Sequence, residues 1–148
     1  MQCVIFIGIQ GSGKSAFFKA RFADTHVRIN RDMLKTPARE RRFFELCLET
    51  GQRCVIDNTN PLAAGRAAFI ASAKARGFRV VGYFFDVPVK DALGRNSKRE
   101  GKAKVPVFGV LRTAKILQRP ALSQGFDEII RVKIVEGQFS LSAVSGGQ

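Results

Sequence analysis

Short, unbroken apolar runs alternate along this chain with longer stretches in which apolar and charged positions mix. "CVIFIG", near the start, is apolar up to its closing glycine, the pattern of a strand buried on both faces. "HVRIN", "RCVID", "FRVVGYFFDV" and "FDEIIRVKIV" predict four more strands. Between them lie the helical stretches. "GKSAFFKARFA" follows the first strand. "PARERRFFELCLETG" has Pro in its first turn and Gly at its end, and Phe43, Phe44, Leu46, Cys47 and Leu48 give it a side to bury. "NPLAAGRAAFIASAKARG" predicts a helix capped by Asn60, with Pro61 at its first position and Gly77 at its end. Pro88 opens a helix through about Arg99, and "VPVFGVLRTAKILQ" predicts one more. Strands alternating with helices predict a three-layer α/β/α sandwich around a parallel sheet. The domain is expected over residues 1–136. Residues 137–148, "GQFSLSAVSGGQ", are small and polar and are expected to be a flexible tail.

Composition adds a partner to this picture. The 148 residues suit one domain. Hydrophobic residues make up 45%, which excludes wholesale disorder. Against 12 acids stand 25 Lys and Arg, a formal charge of +13. Such an excess points to a polyanion, nucleic acid before membrane. No apolar run is long enough to span a bilayer. The opening "MQCVIFIGIQ" lacks the charged n-region of a secretory leader, so a cytoplasmic protein is expected. Cys3, Cys47 and Cys54 form no Cys-x-x-Cys pair and are expected to be buried, inert thiols. A lone His26 excludes a multi-histidine metal site and is read as a strand residue.

Between the first strand and the first helix lies "GIQGSGKS", which fits G-x-x-x-x-G-K-[ST] at every required position. Gly8, Gly11, Ser12 and Gly13 are small, so successive backbone N–H groups can converge on phosphate oxygens. The helix start adds its positive end. Lys14 can reach the β- and γ-phosphates of ATP, and Ser15 can ligate Mg²⁺. Asp57 ends the third strand and suits the metal, directly or through water; Asn58 follows it where ligands of α/β sheets bind. The second strand runs into "INRD", which brings Asp32 to the same sheet edge. A carboxylate there can take the proton of an attacking hydroxyl, or it can cap a helix before "MLKTP". No Asn-Lys-x-Asp run reads guanine, so a GTPase is not expected.

The motifs "GIQGSGKS", "INRDM", "VIDNTNP", "FDVP", "RNSKRE" and "VPV" occur in the order seen in the kinase domain of polynucleotide 5′-hydroxyl kinases, and "ALSQGFDEIIRV" is similar to the closing segment of its eukaryotic members. The chain resembles that family from Val4 to about Val135. The resemblance implies a P-loop fold of the small-kinase type with a helical lid and strand order 2-3-1-4-5. It implies transfer of the ATP γ-phosphate to 5′-OH ends of DNA or RNA. Lys14 and Ser15 would hold ATP and Mg²⁺, Asp32 would be the base, and Asp57 would organise metal or acceptor. Arg99 would be the lid arginine, with Arg95 beside it. The segment "GRNSKREGKAK" would then be a mobile lid hinged at Gly101, with Lys102 and Lys104 contributing to binding. Arg95 and Arg99, four apart on the predicted helix, are expected to share a face. One position departs from the pattern: Lys35 stands where the phage enzyme has an arginine three residues after its base, and lysine lacks the bidentate fork. Two other classes remain open. A small-molecule or zeta-toxin-like kinase would share the loop without needing so much positive charge. A noncatalytic nucleic-acid-binding protein would not need Lys14, Ser15 and Asp32 intact.

Overall fold

The apolar run after Met1 becomes the central strand of a six-stranded sheet. In the computed structural model, which describes residues 1–101 and 104–145, β1 (Gln2–Ile7) lies between β3 (Cys54–Ile56) and β4 (Arg79–Phe85), parallel to both. β2 (Val27–Ile29) flanks β3, and β5 (Glu128–Val135) flanks β4, also parallel. β6 (Gln138–Ala143) closes the far edge, antiparallel to β5. The order is β2-β3-β1-β4-β5-β6, which contains the order 2-3-1-4-5 that the resemblance implied.

Alternation along β1 feeds two cores. Cys3, Ile5 and Ile7 pack with Phe44, Ile70 and Phe126 on the face covered by α3 (Pro37–Thr50) and α4 (Ala63–Ala75). Val4 and Phe6 pack with Phe17, Phe18 and Phe22 on the face covered by α1 (Lys14–Arg21). That second core is largely aromatic. Phe6 meets Phe85 at 5.0 Å between centroids, and Phe17 meets Phe139 at 5.0 Å, both edge to face. Such pairs add about 0.5–1.5 kcal/mol each beyond the area they bury. A smaller core of Ile9, Val87, Ala92 and Val110 lies under α5 (Val89–Ser97) and α6 (Val107–Ile116). The three cysteines are buried free thiols, and Cys3 and Cys54 are cross-strand partners. His26 sits just before β2, within hydrogen-bond distance of Thr25 Oγ1 and Gln2 Oε1 (2.7 Å each).

The terminal signals of α3 act as its sequence predicts. Thr36 Oγ1 accepts from Arg39 N at 3.2 Å, Pro37 occupies the first turn, and Gly51 closes the helix at φ 72°. Its apolar run is only partly buried: Phe44, Cys47 and Leu48 are inside, while Phe43 and Leu46 are 47% and 54% exposed. At about 100° per residue, a run of five cannot face one way.

Two expectations are corrected. Asn60 does not cap α4, which starts at Ala63; there Gln118 Oε1 accepts the first helical N–H at 2.8 Å. Asn60 instead takes φ 43° and donates its amide to Phe6 O at 2.7 Å and Ile56 O at 3.3 Å. It therefore serves carbonyls near the ends of β1 and β3, where these two strands stop pairing with each other. The same loop is anchored by Arg66, fully buried, which donates to Asn60 O at 2.8 Å and Gln118 O at 3.0 Å. The second correction concerns the tail. Glu136 and Gly137, at φ 52° and 76°, form a tight turn that needs positive φ at both central residues. The chain returns as β6, with Phe139 opposite Ile134. Residues 138–143 are thus a strand rather than a flexible tail, because Phe139 reaches the aromatic core.

Replacing half-buried Phe139 with Ala should cost about 2 kcal/mol, below the range for fully buried Phe→Ala changes. Urea denaturation measures it; unchanged stability would mean that β6 contributes no packing.

Candidate active site

The chain leaves β1 and turns into α1 through six residues, 8–13. Gly11 has φ 79°, and a Cβ there would lie 2.3 Å from Ala92 O, so only glycine fits beneath α5. Gly13, at φ 98°, precedes α1 with no side-chain cap, which leaves the first-turn N–H groups of the helix for an anion. Ser12 is fully buried, and its Oγ has no hydrogen-bond partner among the described residues. Lys14 folds back and donates to Gly8 O at 2.9 Å and Ile9 O at 2.8 Å, closing the ring with its own cation. Burial pushes the Lys14 ammonium down to about 8; the negative charges of Asp57 and Asp32 oppose that shift, and Arg99 adds to it. A phosphate would supply the negative charge this lysine lacks.

Beside the loop opens a cleft of about 630 Å³ at the carboxyl ends of β1, β2 and β3. Lys14, Ser15, Asp32, Asp57, Asn58 and Arg99 all line it. Asp32 is exposed in the first turn of α2 (Arg31–Leu34), a single helical turn. Asn30 caps that turn, accepting from Met33 N at 2.9 Å and donating to Asp57 O at 2.7 Å. The capping role open to Asp32 is thus taken by Asn30. Asp57 is 2% exposed and accepts from Arg28 Nε at 2.7 Å. Arg28 also donates from Nη2 to Ser15 Oγ at 3.3 Å. Asn58 is a brace: its Oδ1 accepts from Arg31 N at 2.9 Å, and its Nδ2 donates to Glu40 Oε2 at 2.7 Å. Buried Glu40 in turn pairs with the Arg31 guanidinium.

The sequence missed Arg28, Arg31 and Glu40. Arg28 did carry a signal, a charge at the middle of a short strand in a parallel sheet, where apolar residues are expected. Glu40 carried none, since an acid in a first helical turn ordinarily faces water.

The lid arginines do not share a face. α5 ends at Ser97, and Arg99 lies beyond it in a turn in which its N–H reaches Asn96 O at 3.1 Å. Arg99 lines the first cleft. Arg95 lines a second cleft, of about 650 Å³, together with Asp86, Lys90, Asp91, Lys98 and Lys133. A Cβ on Gly13 would sit 3.3 Å from Arg95 Nη1, so Arg95 stands directly behind the loop. The helix stops early because Asn96 is held by the following segment: its amide donates to Val105 O and accepts from Val105 N (2.5 and 2.9 Å). Lys35 is exposed at the end of α2 with φ 79°, outside the residues that line the cleft. Gly101 has positive φ (59°), as a hinge residue can, and Lys102 lies outside the described residues.

The donor set suits Mg²⁺. Ser15 Oγ and Asp57 are hard oxygen donors already bridged by one cationic group. Among the described residues no cluster of three or more His, Cys, Asp or Glu could hold a metal alone. An ion here would take one or two protein oxygens and complete its shell with phosphates and water, as Mg²⁺ does in phosphoryl-transfer sites.

A family model described as an AAA domain matches residues 3–119. A protein of Acanthamoeba polyphaga mimivirus, named a bifunctional polynucleotide phosphatase/kinase, is 31% identical over 137 residues. That match takes in 86% of this chain and 32% of the relative, so the chain spans about a third of its length. Among solved structures, a gluconokinase from Sinorhizobium meliloti superposes with TM-score 0.63 at 18% identity, over 91% of this chain and 83% of that one. The Mycobacterium tuberculosis APS kinase CysC, in complex with AMPPNP and APS, gives TM-score 0.56 at 19% identity, over 89% and 87%. The fold is that of P-loop kinases. Among the described residues no helix is long and apolar enough to cross a membrane.

With Lys14 lowered to about 8, the free protein holds it largely neutral at pH 9. Phosphates favour the charged form, so binding ADP at pH 9 should take up close to one proton, and at pH 6.5 almost none. Calorimetric titration in buffers of different ionisation enthalpy measures the uptake; equal uptake at both pH values would contradict it.

Proposed function

The chain belongs to the AAA domain family, and we propose that it is a phosphotransferase that moves the γ-phosphate of ATP to the 5′-hydroxyl of a polynucleotide. The observation that carries the reading is one cleft lined both by the phosphate loop, through Gln10, Lys14 and Ser15, and by an exposed carboxylate, Asp32. Their charges are close enough for Asp32 to act on Lys14. In this reading the phosphates lie in the loop under Lys14, and the base of the nucleotide extends past Gly13 toward Arg95 and the second cleft. The acceptor enters from the side of Asp32. Its hydroxyl gives its proton to the Asp32 carboxylate as the new oxygen–phosphorus bond forms. The bond from Pγ to the bridging oxygen breaks, and ADP leaves. Arg99 neutralises charge on the transferring group. Ser15 and Asp57 would hold Mg²⁺, which supplies charge neutralisation to the phosphates.

Two features support a polynucleotide over a small hydroxyl compound. The cleft continues along an apolar wall of Pro61, Leu62 and Phe69, against which a nucleobase next to the reacting hydroxyl can lie. Phe69 is fixed there edge to face on Phe44, 5.1 Å between centroids. The charge of +13 suits an acceptor with further phosphates. In this reading Arg31, held by Glu40 at the cleft, would meet the first of these, and exposed Lys35 one more distant. The mimivirus relative carries a polynucleotide kinase name, which supports the same substrate class.

Incubation with labelled ATP, Mg²⁺ and 5′-OH DNA and RNA oligonucleotides should label the ends. Label on gluconate or another small hydroxyl compound, and none on oligonucleotides, would move the protein to the small-molecule kinases. Asp32→Asn should lower kcat roughly 10²–10⁴-fold while ADP affinity stays within a factor of about two, since the carboxylate acts on the acceptor. Near-normal turnover would remove Asp32 from the chemistry. Arg99→Lys should reduce kcat by at least about tenfold with little change in KM, because an ammonium cannot bridge two oxygens in one plane. A change in KM alone would make Arg99 a binding residue.

A further inference from the structure

One charged side chain inside the site has no part in the transfer just described. Arg28 is the middle residue of β2, and the same edge of its guanidinium, Nε and Nη2, reaches Asp57 Oδ2 at 2.7 Å and Ser15 Oγ at 3.3 Å. Its guanidinium carbon lies 5.7 Å from the centre of the Phe18 ring. Three contacts, two on α1 and one just past β3, thus hold one cation between the two oxygens assigned above to the divalent ion. We propose that Arg28 is a built-in cation that occupies the metal seat of the nucleotide-free protein and competes with the divalent ion for it.

The physical reason begins with Asp57. Its carboxylate is 2% exposed, and a buried carboxylate without a counter-charge is strongly unfavourable. Some cation has to stand beside it before nucleotide and metal arrive. A guanidinium can do this by hydrogen bonding but cannot coordinate, and it carries one charge where the ion carries two. When an ion takes the oxygens of Ser15 and Asp57, the guanidinium loses both partners and is left beside a divalent charge. At 28% exposure, with the 630 Å³ cleft beside it, the side chain has somewhere to turn. The affinity of this protein for the ion is therefore the difference between two cations at one seat. In the absence of metal, the same side chain links Ser15 to Asp57.

The inference rests on the reading of Ser15 and Asp57 as the metal side of the site, so its test uses the ion alone. Arg28→Gln keeps a polar side chain of similar reach and removes the charge. Mn²⁺ binding to the nucleotide-free protein, followed by water-proton relaxation, should be at least tenfold tighter in Arg28→Gln than in the unsubstituted protein. In thermal melts without nucleotide, millimolar Mg²⁺ at matched ionic strength should raise the Tm of Arg28→Gln and leave that of the unsubstituted protein unchanged. The double variant Arg28→Gln, Asp57→Asn should lose both responses. Should Arg28→Gln fail to fold, Arg28→Lys keeps the counter-charge but not the fork that spans to Ser15, and should bind Mn²⁺ with an affinity raised by a smaller factor. Equal Mn²⁺ affinity in the unsubstituted protein and the folded variant overturns the inference, whether or not oligonucleotides are phosphorylated. A difference in Mn²⁺ affinity, with no label transfer to any acceptor, sustains it and defeats the kinase reading instead.

Discussion

A strand buried on both faces can present chemistry only at its end. β1 is in that position, since Cys3 to Ile7 are fully covered by the two cores. The candidate site is arranged at its carboxyl end: the glycine loop continues the strand, and Asn60 donates to Phe6 O near the end of β1 and to Ile56 O at the end of β3. β3 runs parallel in register, Ile5 opposite Ile56, so Asp57 emerges level with Phe6, two residues short of the loop at Gly8. β2 stops level with β3, Ile29 opposite Ile56, and hands the chain to Asn30 and Asp32. Neighbouring strands of a sheet lie roughly 4.8 Å apart, so three neighbouring strands whose ends differ by about two residues bring the loop, Asp57 and Asp32 to one cleft. The register of the sheet fixes the geometry of the cleft.

Much of this was legible in the chain. The five parallel strands follow from the apolar runs, and α3 from its Pro and Gly signals, because buried parallel strands and capped helices leave strong local marks. The loop from Gly8 to Ser15 was legible because its backbone shape demands particular residues. What was not legible depends on long-range contact. Asn60 reads as a helix cap locally and is drawn off by two strand-end carbonyls. "GQFSLSA" reads as a polar tail until the turn at Glu136 and Gly137 brings Phe139 onto Phe17. Arg95 and Arg99 have the spacing of one helical face, but Val105 holds Asn96 and ends the helix between them. In each case a partner distant in sequence, or a turn, overrode the local pattern.

The charges at the site obey a rule that composition hides. The chain carries +13, yet the cleft is lined by Lys14, Arg28, Arg31 and Arg99 against Asp32, Glu40 and Asp57. Nearly all of the excess positive charge lies outside the cleft. Inside, Arg28 holds Asp57 and Arg31 holds Glu40, while buried Arg66 is met by the carbonyls of Asn60 and Gln118. The division has a physical logic. Charge on the outer surface attracts a polyanion over a Debye length, about 8 Å at physiological salt, and is weakened by salt. Charge inside must be matched locally, because a low-dielectric cleft penalises any unpaired ion. A cleft already full of unmatched cations would bind phosphate tightly in reactant and product alike and gain nothing in rate. A nearly balanced cleft, in which Lys14 is held below its ordinary range until phosphate arrives, concentrates its gain on the ligand's own charge. For the proposed phosphotransfer, attraction to the acceptor and catalysis on it would then be altered separately, the first by surface lysines and arginines, the second by the few side chains that the ends of β1, β2 and β3 bring together.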